Sequence, residues 1–300
     1  MARTRSIGNR KNGYIGLLYI LPWLLGFLIL QLYPFVVSFV YSFTDLKVAG
    51  NSKFIGLDNY IRLFTKDPDF INSMVVTLKY VLYVVPGKII FALLVAVVLN
   101  MKLKAINLYR TIYYLPSILG GSVAISALWR VMFMKTGIIN NITALLGIPA
   151  LNWLGDTRYS LFTISMIEMW QFGSSMVIFL AALKQVPGEM YDAAKVDGAK
   201  KIRTFFNITL PMISTVTFFN VLMQTINALQ NFTAAFVVTK GGPVKSTHLI
   251  GLKLYEDAFS KFSMGYASAQ SWVVFAVIVL FTVIVFRSSS LWVYYNDGGK

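Results

Sequence analysis

Long apolar runs, separated by shorter polar segments, dominate the pattern of the chain. They cover residues 14–43, 73–99, 111–133, 159–183, 210–239 and 264–286. Each has about the 20 residues that are needed to cross the hydrocarbon core of a bilayer. At that length an α-helix satisfies its own backbone hydrogen bonds, which the hydrocarbon core requires. The pattern therefore predicts an all-α polytopic membrane protein with six transmembrane helices.

The first apolar run follows a basic tail and contains two prolines. Pro22 and Pro34 predict that this helix is bent or ended near one of them. A cleaved signal peptide is the alternative, but its apolar core has about 7 to 15 residues and ends at small side chains. Because this run is longer, and the bulky Tyr33 precedes Pro34, we predict that the segment is retained as the first span.

Two polar segments carry helical patterns of their own. Residues 45–72 place acidic and basic side chains around apolar pairs, which predicts a short amphipathic helix outside the bilayer. Residues 184–211 are the longest charged segment between two apolar runs. Within it we expect a helix over 189–199, a sharp turn at Gly198 and a second helix entered near 210–211. A short helix held between membrane spans is an element on which a partner protein can push.

The composition supports a membrane protein and restricts its chemistry. Hydrophobic residues make up 57% of the 300 residues, above the roughly 45 to 50% of soluble proteins, and the mean hydropathy is +0.66. The net charge of +15 does not indicate nucleic acid as a partner, because the basic residues lie mainly in short loops beside anionic lipid. Without cysteine and with one histidine, His248, the chain has neither disulfides nor thiolate or histidine-rich metal sites.

The distribution of charge predicts the orientation. An even number of spans places both termini on one side, and the segments of that side carry more Lys and Arg and fewer acidic residues than the opposite loops. The termini are therefore predicted to be cytoplasmic. This divides the chain into a cytoplasmic amino-terminal tail (1–13), a transmembrane domain (14–286) with a cytoplasmic segment at 184–210, and a cytoplasmic carboxy-terminal tail (287–300).

Short motifs give the chain a family resemblance. The residues DAA at 192–194, DGA at 197–199 and ITLP at 208–211 resemble the EAA motif of permease subunits in binding-protein-dependent ABC importers. The residues GLDNY at 56–60, RTIYYLPS at 110–117, TKGGP at 239–243 and GYASAQS at 265–271 are similar to the carbohydrate importer permeases of the maltose and glycerol-phosphate type. One difference is that the motif usually begins with glutamate, whereas this chain has Asp192, whose carboxylate reaches one methylene less far.

The resemblance implies a type I ABC importer permease fold and a non-catalytic subunit of the bacterial inner membrane. In such importers a cytoplasmic helix docks on an ATPase, whose closure switches the spans between inward-facing and outward-facing states. The implied partners are a second homologous permease subunit, two ATPase subunits that bind ATP and Mg²⁺, an extracytoplasmic solute-binding protein, membrane lipid and a sugar. No cofactor is expected in this chain. On this basis we assign ATPase coupling to Glu189, Asp192, Ala193, Ala194, Asp197, Gly198 and Lys201.

Other classes of membrane protein have less support in the sequence. The phosphate-binding pattern GxxxxGK[ST] is absent, because GGPVKS at 241–246 has the wrong spacing and no strand precedes it. No HExxH, GxSxG or pair of carboxylates indicates an enzyme that acts on lipid-linked sugars. An ion-gradient-driven secondary transporter is the alternative, but such folds usually contain an internal repeat, which we do not find.

A row of amides in the fifth span predicts part of a substrate pathway. Asn220, Gln224, Asn227 and Asn231 are spaced by four, three and four residues, so they share one face of a helix. Amides bond to sugar hydroxyls and are costly in contact with lipid. The alternative is that they join helices to one another, as Asn and Gln commonly do in membranes.

The fourth span adds a second polar row and a buried charge. Glu168, Gln171 and Ser175 recur beside Trp170, whose ring suits the apolar face of a sugar. Glu168 lies roughly 15 Å into its span, where a charge needs a partner or water, and we predict that it pairs with Lys88 in the second span. The pathway candidates are Glu168, Trp170, Gln171, Ser174, Asn220, Gln224, Asn227 and Asn231.

Overall fold

The structure, a computed structural model, describes residues 13–47, 52–101 and 104–294. Three helices are long and apolar enough to cross a membrane, namely Leu18–Ser42, Pro68–Leu99 and Met264–Trp292. Three further pairs of shorter helices are long and apolar enough only when the two helices of a pair are taken together, and each pair is bent. The described residues therefore hold six spans if each bent pair counts as one. The predicted all-α, six-span fold is confirmed. The tails at 1–12 and 295–300 lie outside the described residues.

The first span consists of α1 (Gly13–Phe27) and α2 (Tyr33–Ser42), joined by a π-helical segment, Leu28–Leu32. The helix does not end at either proline, because it continues through both of them. The backbone N–H of Tyr33 bonds to the carbonyl of Leu28. This wider turn accommodates Pro34, which has no N–H to donate.

Two helices follow α2 along the chain. The first, α3 (Asp58–Thr65), is the predicted amphipathic helix. The second span, α4 (Pro68–Leu99), begins before the predicted residue 73. The carboxylate of Asp67 accepts a hydrogen bond from the N–H of Phe70, and the proline that follows it needs no N–H partner in a first turn. The N-cap residue Asp67 therefore starts α4 before the apolar run begins at residue 73.

The third and fourth spans are broken. In the third span, α5 (Ile106–Ile118) and α6 (Val123–Met132) meet at 99°. The following loop contains α7 (Ile138–Leu145). In the fourth span, α8 (Ser160–Trp170) and α9 (Gly173–Gln185) meet at 48°. The corner between α5 and α6 contains Gly121 at a φ of +72°, a conformation that glycine adopts without strain. The sequence pattern did not predict the bends in these two spans.

The fifth span is also bent. After α10 (Gly188–Val196), the helical stretch Lys201–Met212, which contains α11 (Lys201–Thr204) and α12 (Leu210–Met212), meets α13 (Ser214–Leu229) at 69°. A single helix over 210–239 is wrong, because α13 ends at Leu229 and a separate π-helical segment, Ala235–Thr239, follows. The polar residues Gln230 and Asn231 lie in the gap.

The last part of the chain holds more helix than the sequence predicts. The loop after residue 239 contains α14 (Ile250–Tyr255), which continues as a π-helical segment, Glu256–Ser260. The sixth span, α15 (Met264–Trp292), continues past residue 286, so the predicted tail 287–300 begins as helix. Its end is fixed because the N–H of Tyr294 donates to the hydroxyl of Ser214.

The second span is the central helix of the fold. α4 packs against α8, α9, α13 and α14. In its first half, Tyr80 and Val84 are buried with Ile164 of α8, and in its second half, Ala92 and Ala96 are buried with α9. Alanines let helix backbones approach closely, which is how helices gain packing energy in lipid.

The predicted ion pair between the second and fourth spans is confirmed. Lys88 Nζ lies 3.3 Å from Glu168 Oε2, and their side chains are 8% and 19% exposed. The other carboxylate oxygen of Glu168 accepts a hydrogen bond of 3.0 Å from the amide of Asn231. One carboxylate therefore joins α4, α8 and the segment after α13 in a region where water is scarce.

Replacing Lys88 with methionine tests this pair. Lys88→Met leaves the carboxylate of Glu168 partly buried without its cation, which costs about 3 kcal/mol. We expect the thermal midpoint of the purified transporter to fall by several degrees. The double variant Lys88→Met/Glu168→Gln removes both charges and keeps an acceptor for Asn231, so it should recover most of the loss. Size-exclusion profiles after heating measure both effects, and equal losses in the single and double variants would contradict the pairing.

Candidate coupling segment and substrate pathway

The charged segment between the fourth and fifth spans forms a helix with a defined end. α10 stops at Val196, so the predicted helix over 189–199 is too long by three residues at its end. Gly198 has a φ of +71°, and its N–H bonds to Lys195 O while the N–H of Ala199 bonds to Ala194 O. This pair of bonds is the Schellman motif, which favours glycine at the left-handed position. The predicted turn at Gly198 is confirmed.

The segment is tied back to the spans by few contacts. Ala194 is buried, and the hydroxyl of Tyr191 lies 3.1 Å from that of Thr209 at the base of the fifth span. Lys195 and Asp192 form an ion pair of 2.8 Å, but the two side chains are 76% and 73% exposed, so the pair contributes little to stability. The outer surface of α10 is therefore available to another protein.

Most residues assigned to coupling lie on that outer surface. Apart from the buried Ala194, the exposed members are Glu189, Asp192, Ala193, Asp197, Gly198 and Lys201. The structure adds two large apolar side chains that we missed, since Val196 is 89% exposed and Ile202 is 75% exposed. The sequence signal for this exposure was that both residues are isolated apolar positions in a charged segment. Exposed apolar side chains beside charges are typical of a protein interface.

The amide row of the fifth span does not stay on one face. Asn220 and Gln224 are buried, where Asn220 bonds to the carbonyl of Val216 in its own helix and Gln224 donates to the hydroxyl of Ser175 at 3.2 Å. The alternative that the amides join helices therefore applies to Gln224, whereas Asn220 bonds within its own helix. Asn227 is exposed, whereas Asn231 lies beyond the end of α13 and bonds to Glu168. Placing Asn231 on the same helical face was wrong, because α13 ends at Leu229.

The polar row of the fourth span is divided by the bend. Glu168 and Trp170 lie on α8, Gln171 lies in the break and Ser174 lies on α9. Trp170 is 38% exposed, and its ring is 6.1 Å from that of Trp129 on α6. Gln171 is buried. The exposed indole of Trp170 has the chemistry that suits the apolar face of a sugar.

A buried ionic cluster at the other end of the molecule was not predicted. Lys253, 3% exposed, lies 2.8 Å from Asp67 and 2.9 Å from Asp257. Burial opposes the ionisation of Asp257, but hydrogen bonds from Lys261, Lys253 and Gln270 hold the pKa of its carboxyl below the ordinary value. The sequence signal for this cluster was the four-residue spacing of Lys253 and Asp257, which places the two side chains on one face of a helix. This cluster fixes α14 to the starts of α4 and α15, and it leaves no charge unpaired.

Comparison with known proteins agrees with the fold. A family model described as "Binding-protein-dependent transport system inner membrane component" matches residues 65–297. "Probable ABC transporter permease protein YesP" of Bacillus subtilis (strain 168) is 44% identical over 300 residues, covering 99% of this chain and 96% of that protein. "Probable starch degradation products transport system permease protein AmyD" of Thermoanaerobacterium thermosulfurigenes is 30% identical over 276 residues, covering 91% and 93%.

A solved structure shares the fold. It is described as "Crystal structure of bacterial alginate ABC transporter in complex with alginate pentasaccharide-bound periplasmic protein", and it matches with a TM-score of 0.78 at 22% identity over 93% of this chain and 95% of that chain. The family match, the 44% identity to a permease and this fold lead to one conclusion. The chain belongs to the family of binding-protein-dependent transport system inner membrane components, the membrane-spanning permeases of ABC transporters.

Proposed function

We propose that the chain is the permease subunit of an ATP-driven importer and that α10 couples it to a separate ATPase. The observation that carries the proposal is an exposed helix with a Schellman end, placed between two spans and tied to them by few contacts. Such a helix transmits displacement to the spans because each of its ends continues into one of them. The shorter Asp192 reaches less far than glutamate, and the exposed Val196 adds apolar contact.

The substrate that we propose is a sugar, either a monosaccharide or an oligosaccharide. Relatives support this choice, because one is named for starch degradation products and a protein of the same fold was solved with an alginate-bound partner. Within this chain, exposed Trp170 and Asn227 offer an apolar ring and an amide, the two kinds of group that sugars require. A phosphorylated polyol is the other substrate that the carbohydrate class admits.

The proposed assembly places this chain beside a second homologous permease in the inner membrane, with both termini in the cytoplasm. Two ATPase subunits bind ATP and Mg²⁺ and contact α10, while an extracytoplasmic solute-binding protein delivers the sugar on the opposite side. In this arrangement the chain holds no cofactor and catalyses no reaction. Excess positive charge on the side of α10 supports the orientation.

Uptake by membrane vesicles tests the energy source. Vesicles that contain the complete transporter and its binding protein should accumulate sugar when ATP is supplied on the side of α10, and an uncoupler should have no direct effect. An ion-gradient-driven transporter, the alternative, would instead lose uptake with the uncoupler and retain it without ATP. That outcome would refute the ATP-driven mechanism.

Substitution of Gly198 tests the coupling role. A Cβ at this position meets no atom within 4 Å, and φ is +71°, so a substitution acts through backbone conformation alone. Gly198→Val should reduce binding-protein-stimulated ATP hydrolysis at least about tenfold while membrane insertion is preserved, because a β-branched residue disfavours the left-handed turn. Gly198→Asn should retain much of the activity, since asparagine tolerates that turn.

The matched control is Gly188→Ala, because Gly188 also has open space around it but lies at an ordinary φ. It should hydrolyse ATP at the rate of the unmodified transporter. Equal activities for Gly198→Val and Gly188→Ala would remove the coupling role from this turn.

Substitution of the exposed amide tests the pathway. Asn227→Leu should raise the KM for sugar uptake several-fold with little change in thermal stability, because the side chain makes no hydrogen bond among the described residues and is free to contact a sugar. Asn220→Leu should instead lower stability, since Asn220 is buried. Asn141→Leu, which changes another exposed amide on α7, is the control. An unchanged KM in Asn227→Leu for every sugar that the transporter carries would contradict the assignment.

A further inference from the structure

Two adjoining hollows lie beside the coupling segment. The first, of about 410 Å³, lies where the end of α4 meets α10 and α11. Its polar lining consists of Asn100, Tyr191, Lys195, Lys201, Thr204 and Thr209. It therefore offers two ammonium groups and several hydroxyl groups at one place.

The second hollow is an apolar groove of about 390 Å³ along α4. Its lining is aliphatic and aromatic throughout, with Ile90, Leu93, Leu94, Phe206 and Leu210 among its members. Val97 and Phe205 line both hollows, so the two lie side by side. The row from residue 90 to residue 97 extends about 10 Å along the helix. A polar chamber, the first hollow, thus adjoins an apolar groove on a membrane-spanning helix.

The charges of the chamber are only weakly satisfied within the chain. Lys195 pairs with Asp192, but both side chains are largely exposed, and such pairs are weak. Among the residues that the structure describes, Lys201 makes no ion pair or side-chain hydrogen bond. The chamber is therefore complementary to an anion, and lysine commonly binds phosphate as a point charge.

We propose that this site binds one anionic phospholipid, with its phosphate near Lys195 and Lys201 and one acyl chain in the groove along α4. A free phosphate would leave the groove unfilled. A soluble partner would not reach side chains on a membrane-spanning helix. An anionic lipid satisfies both parts, because it joins a negative headgroup to a hydrocarbon chain, and such lipids are enriched on the cytoplasmic side. The inference does not depend on which substrate is transported.

Native mass spectrometry of the intact transporter tests the headgroup contact. The purified complex is titrated with dioleoyl phosphatidylglycerol or with dioleoyl phosphatidylcholine, which has the same chains and no net charge. Phosphatidylglycerol should bind preferentially, and Lys195→Gln/Lys201→Gln should weaken its binding by about fivefold for each lysine. Lys200→Gln is the control, since Lys200 is an exposed neighbour that lines neither hollow. Excess inorganic phosphate should not displace the lipid.

Photocrosslinking tests the position of the chain. Phosphatidylglycerol with a diazirine in its acyl chain should label the peptides that contain residues 90–97 and 205–210. The absence of such labelling, unchanged lipid binding in the double variant, or displacement by phosphate alone would each overturn the proposal. Because the chain has no cysteine, Leu94→Cys also supplies a unique reactive position. Its crosslinking to the second permease would show that a protein helix fills the groove and would equally overturn the lipid assignment.

Discussion

The hydroxyl of Ser117 makes the broken fourth span possible. It donates to the carbonyl of Gln171 and accepts from the N–H of Ser174, so one side chain of α5 serves both sides of the break. In a bilayer no water would replace these bonds. Gly173 allows the approach, because a Cβ there would lie 2.6 Å from both the Ser117 hydroxyl and the carbonyl of Tyr113. Without this contact the exposed position of Trp170, at the end of α8, would not be maintained.

The same principle explains why the motifs outside the coupling segment are found at junctions. In GLDNY, Asn59 donates to the carbonyls of Ser42 and Thr44, both at 2.9 Å, where α2 ends. In GYASAQS, Gln270 donates to the buried Asp257. In TKGGP, the hydroxyl of Thr239 bonds to a second threonine across the turn. These residues satisfy polar groups where helices end, so the motifs that carry the resemblance describe architecture and give no information on the sugar.

The sequence was sufficient for features that depend on local chemistry or on the cost of polar groups in lipid. The six spans follow from apolar length, the turn at Gly198 from glycine geometry, and the pairing of Lys88 with Glu168 from the need to compensate a charge. It was insufficient where partners come from distant parts of the chain. The break in the fourth span requires Ser117, and the fold of α14 requires Asp67 as partner for Lys253. Periodicity alone likewise could not distinguish buried Asn220 from exposed Asn227, because that difference depends on which helices pack against α13.

In the proposed mechanism, the contacts of α10 would carry displacement to the spans. Val186 and Pro187 join α10 to α9, and Tyr191 contacts Thr209 at the base of the fifth span. Farther along, Ser175 of α9 bonds to Gln224 of α13. The fifth span is therefore joined to α10 at its base and to α9 farther along, so a force on α10 would act on both spans. The end of α13 is connected to α8 differently, through the bond from Asn231 to Glu168. Packed side chains resist sliding, whereas a hydrogen-bonded ion pair separates and re-forms as a discrete step. In the proposed mechanism, relative motion of α8 and α13 would therefore be concentrated at Glu168, two residues before the exposed Trp170.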